Sequence, residues 1–176
     1  MLILNLFAGS GAGKSSLAAA TFAELKYDDI SCELVTEQAK SVVWDESYKL
    51  LQDQILLFAQ QHHQIARLEG KVDVAVTDSP LLLSIVYGAG MGNTFNQLVL
   101  DRHLAWKSLN VFVKRVKPYH QVGRVQTEQE ALMIDERVRE VLDKYHVNYI
   151  EVEGKRGSET IVASMIKDIL NTKRVK

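Results

Sequence analysis

Residues 8–16 read Ala-Gly-Ser-Gly-Ala-Gly-Lys-Ser-Ser, and this stretch constrains the possible fold more than any other. An apolar run at residues 2–7 precedes it and is typical of a buried strand. Residues 17–25 follow it and have helical composition and spacing. A strand, a glycine-rich turn ending in Gly-Lys-Ser and a helix together form the context of a phosphate-binding P-loop. The sequence therefore predicts a nucleotide-binding strand–loop–helix unit.

The residue types of this Walker A motif each suit phosphate binding. Glycines let successive backbone N–H groups face phosphate oxygens, and the helix N-terminus adds a partial positive charge. Lys14 would supply a cation for the β- and γ-phosphates, and the Ser15 hydroxyl would bind Mg²⁺. The expected ligands are ATP and Mg²⁺, and the residues expected to bind the nucleotide are Gly9, Ser10, Gly11, Ala12, Gly13, Lys14, Ser15 and Ser16.

One position departs from the motif. Ala8 stands six residues before Lys14, where the pattern usually has its first glycine. A residue at the end of a strand ordinarily has a negative φ, so a Cβ atom is tolerated at that place. A glycine-rich turn that binds no ligand remains the alternative interpretation of the segment.

The composition of the chain limits its class. With 176 residues, of which 47% are hydrophobic, residues 1–176 are expected to form one domain with an ample core. The net charge of −1 provides no general basic surface for duplex nucleic acid. A single cysteine, Cys32, fits a reducing compartment. Since the sequence has neither a basic leader before the first strand nor an apolar run of membrane-spanning length, a cytoplasmic protein without membrane contact is expected.

Strand-like and helical segments alternate along the chain. Strands are predicted at residues 2–7, 31–36, 72–77, 110–116 and 147–152. Helices are predicted at residues 17–25, 45–68 and 93–107, from Thr127 with a capping-box signature, and from about Ser158. Alternation of this kind favours a mainly parallel sheet covered on both faces. The predicted fold is α/β, a three-layer α/β/α P-loop NTPase fold with a five-stranded sheet.

Two carboxylates follow predicted strands. Asp78 ends the third strand, where an acidic residue beside a P-loop approaches Mg²⁺, with a helix N-cap as its alternative role. Glu37 follows the second strand and is either the base that orients an acceptor hydroxyl or an exposed loop charge. Because ligands collect at the carboxyl ends of parallel strands, both carboxylates are expected near Lys14. Trp44 either stacks on a base or packs between layers, and Gln61 faces either the acceptor pocket or the surface.

A basic segment containing proline and glycine follows the fourth strand. Residues 115–127 suit a mobile lid that closes on phosphates. Arg124 is the first candidate to neutralise charge on the transferred group, and Arg115 is the second. On the helix that follows, Arg137 and Arg139 are expected on a solvated face together with Asp135, Glu136 and Glu140. The loop at residues 153–158 is expected near the P-loop on the nucleotide side.

The chain resembles the small P-loop kinases of the nucleoside and nucleotide kinase group, and more narrowly the compact phage-encoded ATP-binding proteins labelled AAA family ATPase. The resemblance covers nearly the whole chain and rests on residues 7–15, Glu37, residues 77–82, residues 114–119, Gly123 and Arg124. The chain is similar to deoxynucleoside kinases in having a glutamate after the second strand and Trp44 a few residues later. The resemblance implies that Glu37 is the base. Those enzymes carry an arginine after the third strand that the tripeptide at residues 77–79 lacks.

Three functions remain open at this point. The leading hypothesis is Mg²⁺-dependent transfer of phosphate from ATP to a nucleoside, nucleotide or related small acceptor, with Lys14, Glu37, Asp78 and a lid arginine as catalytic residues and Ser15 and Asp78 at the metal. A second is a kinase that acts on a polynucleotide or on a modified base in DNA. A third is an ATP-hydrolysing switch without a small acceptor. The resemblance to small kinases also allows a homodimer.

Overall fold

The computed structural model describes residues 1–37, 53–120 and 126–174, and these residues form five strands and six helices. The strands are β1 (Leu2–Phe7), β2 (Cys32–Val35), β3 (Val74–Thr77), β4 (Lys107–Lys114) and β5 (Ile150–Glu153). The helices are α1 (Lys14–Tyr27), α2 (Gln54–Ala66), α3 (Leu83–Tyr87), α4 (Asn93–Leu104), α5 (Glu128–Lys144) and α6 (Ser158–Arg174).

The five strands form one sheet in the order β2-β3-β1-β4-β5, and every pairing is parallel. The central strand β1 pairs Leu4 with Val76 of β3 on one side and with Leu109 of β4 on the other. The chain leaves β1 toward β2 and β3 on one side and later fills β4 and β5 on the other. In a sheet of this kind a crevice opens at the carboxyl end of the central strand. The predicted five-stranded α/β fold is confirmed.

The core lies on both faces of the sheet, because β1 alternates its side chains between them. Leu2, Leu4 and Leu6 pack in one apolar cluster with α1 and α6. Ile3 and Phe7 pack in a second cluster, which contains the apolar residues of α2, α3, α4 and α5. This arrangement is the predicted three-layer architecture, and it places the loop after β1 between two helical layers. Of the helices that the structure describes, none has the length and apolar character needed to cross a membrane.

Two of the predicted boundaries that differ from the structure have a clear physical cause. The helix predicted over residues 93–107 ends at Leu104, and β4 begins at Lys107, which pairs with Leu2 of β1. Pairing with a neighbouring strand overrides local propensity there. The helix predicted over residues 45–68 begins at Gln54, because the Asp53 carboxylate caps it by accepting the Leu56 N–H at 3.0 Å. Residues 45–52 lie outside the described residues.

Candidate active site

The loop between β1 and α1 turns through two glycines with positive φ. Gly11 has a φ of 76° and Gly13 a φ of 104°, a region that residues with a Cβ atom rarely adopt. Gly13 is the N-cap of α1, and no side chain caps this helix. The first N–H groups of α1 therefore have no side-chain acceptor, and together with the helix dipole they suit an anion.

Lys14 is buried at the floor of this loop, with 7% of its surface exposed. Its Nζ donates to the carbonyl oxygens of Ala8 at 2.8 Å and Gly9 at 2.9 Å. Burial lowers the pKa of the Lys14 ammonium, and the Arg115 guanidinium lowers it further. Nearby carboxylates oppose this shift of the Lys14 pKa; they belong to Glu37, Asp78 and Asp135. The structure thus gathers charged residues from four different loops and elements around one lysine.

Glu37 and Asp78 meet at the carboxyl ends of β2 and β3. The Glu37 backbone N–H donates to Asp78 Oδ1 at 3.1 Å, and Asp78 is 3% exposed. This contact arises because Val35 and Thr77, the last residues of the two strands, pair in register. The alternative role of Asp78 as a helix N-cap is wrong, because α3 begins at Leu83 and no side chain caps it.

A buried polar contact supports this edge of the sheet. Gln61 of α2 is 5% exposed, and its Nε2 donates to Thr77 Oγ1 at 3.1 Å. The same hydroxyl oxygen accepts the Ser79 N–H at 3.1 Å. Of the two sequence alternatives for Gln61, the surface position is therefore wrong. Its Oε1 is buried without a hydrogen-bond partner among the described residues.

Arg115 and Asp135 form an ion pair over the loop. Arg115, which directly follows β4, places Nη2 3.1 Å from Asp135 Oδ2, and the two side chains are only 10% and 14% exposed. The other Asp135 oxygen, Oδ1, accepts the Gly9 N–H at 2.5 Å. The expectation that Asp135 lies on a solvated face is wrong. The sequence carried a signal against it, because Asp135 stands four residues after Ala131 and three before Val138, on the buried stripe of α5.

The remaining donors of Arg115 point to a binding role. Its Nε and Nη1 are buried and have no hydrogen-bond partner in the described part of the chain. Nη1 lies 3.1 Å from the position that a Cβ atom on Gly11 would occupy. Buried guanidinium donors without partners are rare unless they serve an anion. This orphaned group beside the P-loop fits a nucleotide phosphate.

Tyr119 connects the chain after β4 to the P-loop. Its ring carbons lie 2.9 Å from the position of a Cβ atom on Gly11, so only glycine leaves room for the ring. The Tyr119 hydroxyl lies 3.4 Å from Ser10 Oγ and donates to the carbonyl oxygen of Gln126 at 2.5 Å. The described part of the predicted lid thus touches the loop that it was predicted to cover.

The Tyr87 phenol is influenced by the charges of the site, although the sequence did not single this residue out. Burial raises the pKa of its phenol above the ordinary value, and the charges of Glu37 and Asp135 raise it further, with a smaller effect from Tyr119. Tyr87 keeps 37% of its surface exposed. A tyrosine in a short helix after β3 carries no sequence pattern that separates it from a core residue.

The loop after β5 closes the other side of the P-loop. A Cβ atom on Gly154 would overlap the carbonyl oxygen of Ala12, and one on Gly13 would lie 3.2 Å from the carbonyl oxygen of Gly154. The two backbones therefore approach as closely as glycine permits. The expectation that residues 153–158 lie near the P-loop is confirmed by this contact.

The structure does not describe two of the residues that the sequence singled out. Arg124 and Trp44 lie outside the described residues.

Ser15, the predicted Mg²⁺ ligand of the P-loop, is exposed in the first turn of α1. Among the described residues, no three His, Cys, Asp or Glu side chains form a group that could hold a metal ion. A Mg²⁺ site built from one hydroxyl, one carboxylate and substrate phosphates does not require such a group.

The fold and this loop define a P-loop protein with a parallel sheet between two helical layers. Residues 5–159 match the family model described as AAA domain, and the chain belongs to that family. The match spans nearly all of the sheet and the whole site described above.

Two solved structures share the fold along nearly their full length. One is the YorR protein of Bacillus subtilis in complex with phosphorylated GDP, with a TM-score of 0.63, 17% identity, and coverage of 100% of this chain and 99% of that one. The other is thymidylate kinase from Ehrlichia chaffeensis, with a TM-score of 0.60, 12% identity, and coverage of 96% and 98%. The predicted likeness to small P-loop kinases is confirmed at the level of the fold. No curated protein sequence matches this chain significantly.

Proposed function

We propose that this protein transfers the γ-phosphate of ATP to a nucleoside, nucleotide or related small acceptor in a Mg²⁺-dependent reaction. The observation that carries the proposal is the buried Arg115, whose unpartnered donors stand beside the P-loop next to Lys14. Two carboxylates at the adjoining strand ends complete a site with both a phosphate-binding and an acceptor side. The likeness in fold to thymidylate kinase and to YorR with its phosphorylated GDP supports the same assignment.

Phosphoryl transfer asks a protein for positioning and electrostatic stabilisation rather than covalent chemistry. Lys14 and Arg115 would offset the negative charge of the phosphates. Ser15 and Asp78 would hold Mg²⁺, which when bound neutralises charge on the phosphate oxygens. Glu37 would orient the acceptor hydroxyl or take its proton.

The segment over residues 115–127 is proposed as a lid within a single domain of residues 1–176. Arg115 and Tyr119 already contact the P-loop, and the Tyr119 hydroxyl donates a hydrogen bond to the carbonyl oxygen of Gln126. Arg124, the first of the two predicted lid arginines, lies outside the described residues and keeps its proposed role in this lid. Closure over the phosphates would exclude water and favour transfer to an acceptor over hydrolysis.

The test is transfer of label from γ-labelled ATP in the presence of Mg²⁺. The acceptors are a panel of nucleosides, nucleoside monophosphates and single-stranded DNA. Label is expected on one small acceptor class, and Lys14→Ala is expected to reduce the rate on the order of 100-fold or more. Lys26→Ala, on the same helix but at its exposed end, is the matched control and is expected to behave like the wild type.

Other outcomes would replace this proposal. Label on DNA, with binding that weakens steeply as salt rises, would identify a polynucleotide kinase. Slow phosphate release that no acceptor accelerates would identify an ATP-hydrolysing protein.

A further inference from the structure

One carboxylate bridges two parts of the site that are far apart in the sequence. Asp135 Oδ1 accepts the N–H of Gly9, 126 residues away, at 2.5 Å. Asp135 Oδ2 accepts from Arg115 Nη2, 20 residues away, at 3.1 Å. Each oxygen thus has its own fixed donor, one in the P-loop and one in the residue that follows β4.

We propose that Asp135 is a positioning residue, which holds the Arg115 guanidinium in place for the nucleotide phosphates. This inference rests on the proposed function. It assigns to α5 a part in the chemistry that the P-loop motif does not reveal.

Arginine needs such a partner in order to act at one defined position. Its long side chain loses rotamer entropy when it is immobilised. The hydrogen bond from Nη2 to Asp135 fixes the plane of the Arg115 guanidinium. Its other two nitrogens, Nε and Nη1, are buried and have no hydrogen-bond partner among the described residues. Nη1 then lies 3.1 Å from the Cβ position of Gly11. A guanidinium held in this way meets phosphate without a further ordering cost.

The same helix is seated directly on the P-loop. A Cβ atom on Gly9 would overlap the carbonyl oxygen of Ala131, one turn before Asp135. The α5 backbone can therefore approach the loop only because residue 9 is glycine. A residue on a packed helix holds its side chain more exactly than one on a loop does, which suits a positioning role.

Charge at Asp135 also acts on the catalytic lysine. The carboxylate raises the pKa of Lys14 against the opposing effect of burial, and so favours the ammonium form. Both Asp135 oxygens accept from donors that the fold holds in place, which suits positioning rather than proton transfer. The role of base therefore stays with Glu37 in this proposal.

The test is a double-mutant cycle on ATP binding, measured by titration calorimetry. Asp135→Asn keeps an oxygen that can accept the Gly9 N–H but removes the charge that holds Arg115. Asp135→Asn and Arg115→Ala are each expected to weaken ATP binding about tenfold, since each removes a charge-assisted hydrogen bond. The double variant is expected to bind no more weakly than the weaker single variant, because both changes remove one unit. Asp143→Asn, at an exposed position of the same helix, is the matched control and is expected to bind like the wild type.

A second variant separates positioning from folding. Asp135→Glu keeps the charge but moves the carboxylate by one methylene group, and its melting temperature is expected to match that of the wild type. Its ATP binding is expected to be weaker, since the guanidinium is displaced. Unchanged ATP binding in Asp135→Glu, or losses that multiply in the double variant, would overturn the proposal.

The cycle uses ATP alone, so it does not depend on the acceptor. If the wild type binds ATP but transfers phosphate to no acceptor, the proposed kinase activity is wrong, whereas the role of Asp135 in placing Arg115 is still decided. If transfer is found, the kcat/KM of Asp135→Asn is expected to fall by about 100-fold. This loss is larger than the loss of ATP affinity, because misplaced groups affect the transition state most.

Discussion

At the scale of single residues, Glu37 and Asp78 are joined through a backbone donor rather than through two side chains. The Glu37 N–H donates to the Asp78 carboxylate, so that the position of the Glu37 main chain is set by Asp78. The Glu37 side chain can therefore be changed without breaking this contact. That separation makes Glu37 the most informative residue for the proposed acid–base chemistry.

Glu37→Gln is expected to keep ATP binding and to lower the transfer rate by about 10²- to 10⁴-fold, the usual contribution of a general base. The amide retains the size of the side chain but accepts no proton. Rates of label transfer and ATP affinity measured on the same preparation check this prediction. Glu33→Gln, at an exposed position of β2, is the control. A full transfer rate in Glu37→Gln would exclude Glu37 as the base.

At the scale of elements, the P-loop is enclosed by two backbone approaches. The loop after β5 meets Ala12 and Gly13 through Gly154, and α5 meets Gly9 through Ala131. Both contacts depend on glycine because the neighbouring atoms are backbone carbonyl oxygens, which cannot rotate away as a flexible side chain does. The shape of the phosphate site is thus determined by elements that follow the motif by more than a hundred residues.

Gly154→Ala is expected to displace the P-loop and to weaken ATP binding about tenfold, the effect of losing one good phosphate hydrogen bond. Titration of the nucleotide checks this prediction. Gly157→Ala is the control in the same loop. It has open space around its Cβ position but a φ of 93°, so it should lose about 1 kcal/mol of stability and keep its ATP affinity. Equal ATP affinity in the wild type and Gly154→Ala would contradict the argument.

The start of α5 depends on its capping box. Thr127 Oγ1 accepts the Glu130 N–H at 3.2 Å, and the Glu130 carboxylate accepts the Thr127 N–H at 2.7 Å. The bonds from Thr127 lower the pKa of Glu130. This local box was predicted from four residues and is confirmed. It fixes the point at which the segment after β4 ends and the helix that carries Asp135 begins.

Thr127→Ala is expected to lower the free energy of unfolding by about 1 kcal/mol, because one N–H at the helix start loses its acceptor. Urea unfolding monitored by circular dichroism measures this loss. Thr172→Ala removes only an exposed bond from a threonine hydroxyl to the Asp168 carbonyl oxygen and serves as the control. If both variants lose the same amount, the box does not stabilise α5.

At the scale of the whole molecule, a buried histidine links stability to pH. His103 of α4 is 5% exposed and packs edge-on against Phe7 of the central strand, with ring centroids 6.3 Å apart. Burial lowers the pKa of His103 from 6.5 to about 4. The folded protein therefore keeps the neutral ring at pH values at which the unfolded chain binds a proton.

The sign of the pH dependence follows from these two pKa values. Well above pH 6.5, His103 is neutral in both the folded and the unfolded state, so its ionisation does not lower the free energy of unfolding. As the pH falls from 6.5 toward 4, the unfolded chain alone takes up the proton, so the free energy of unfolding falls by about 3 kcal/mol. In His103→Gln this part of the loss is expected to disappear, as measured by urea unfolding at several pH values. Exposed His63→Gln should keep the wild-type slope, and an equal slope in His103→Gln would refute the assignment.

The features that depend on local spacing follow from the amino-acid sequence alone. The strand–loop–helix unit, the alternation that produces a parallel sheet and the capping box at Thr127 each follow from a few adjacent residues, because hydrogen bonds and side-chain periodicity act over one or two turns. The position of Glu37 and Asp78 at one edge also followed, since parallel strands bring their carboxyl ends together.

The distant residues that complete the site are brought there by tertiary packing and could not be predicted from local sequence. The contacts of Asp135 with Gly9 and Arg115, and of Gly154 with Ala12, join segments whose approach depends on how helices pack on the sheet. The start of β4 at Lys107 likewise depends on its partner Leu2 in β1. A charged residue on a helix carries the same local pattern whether its face meets solvent or a glycine loop. The packing of α5 against the P-loop decides between them, because it removes water from the carboxylate and supplies two donors in its place.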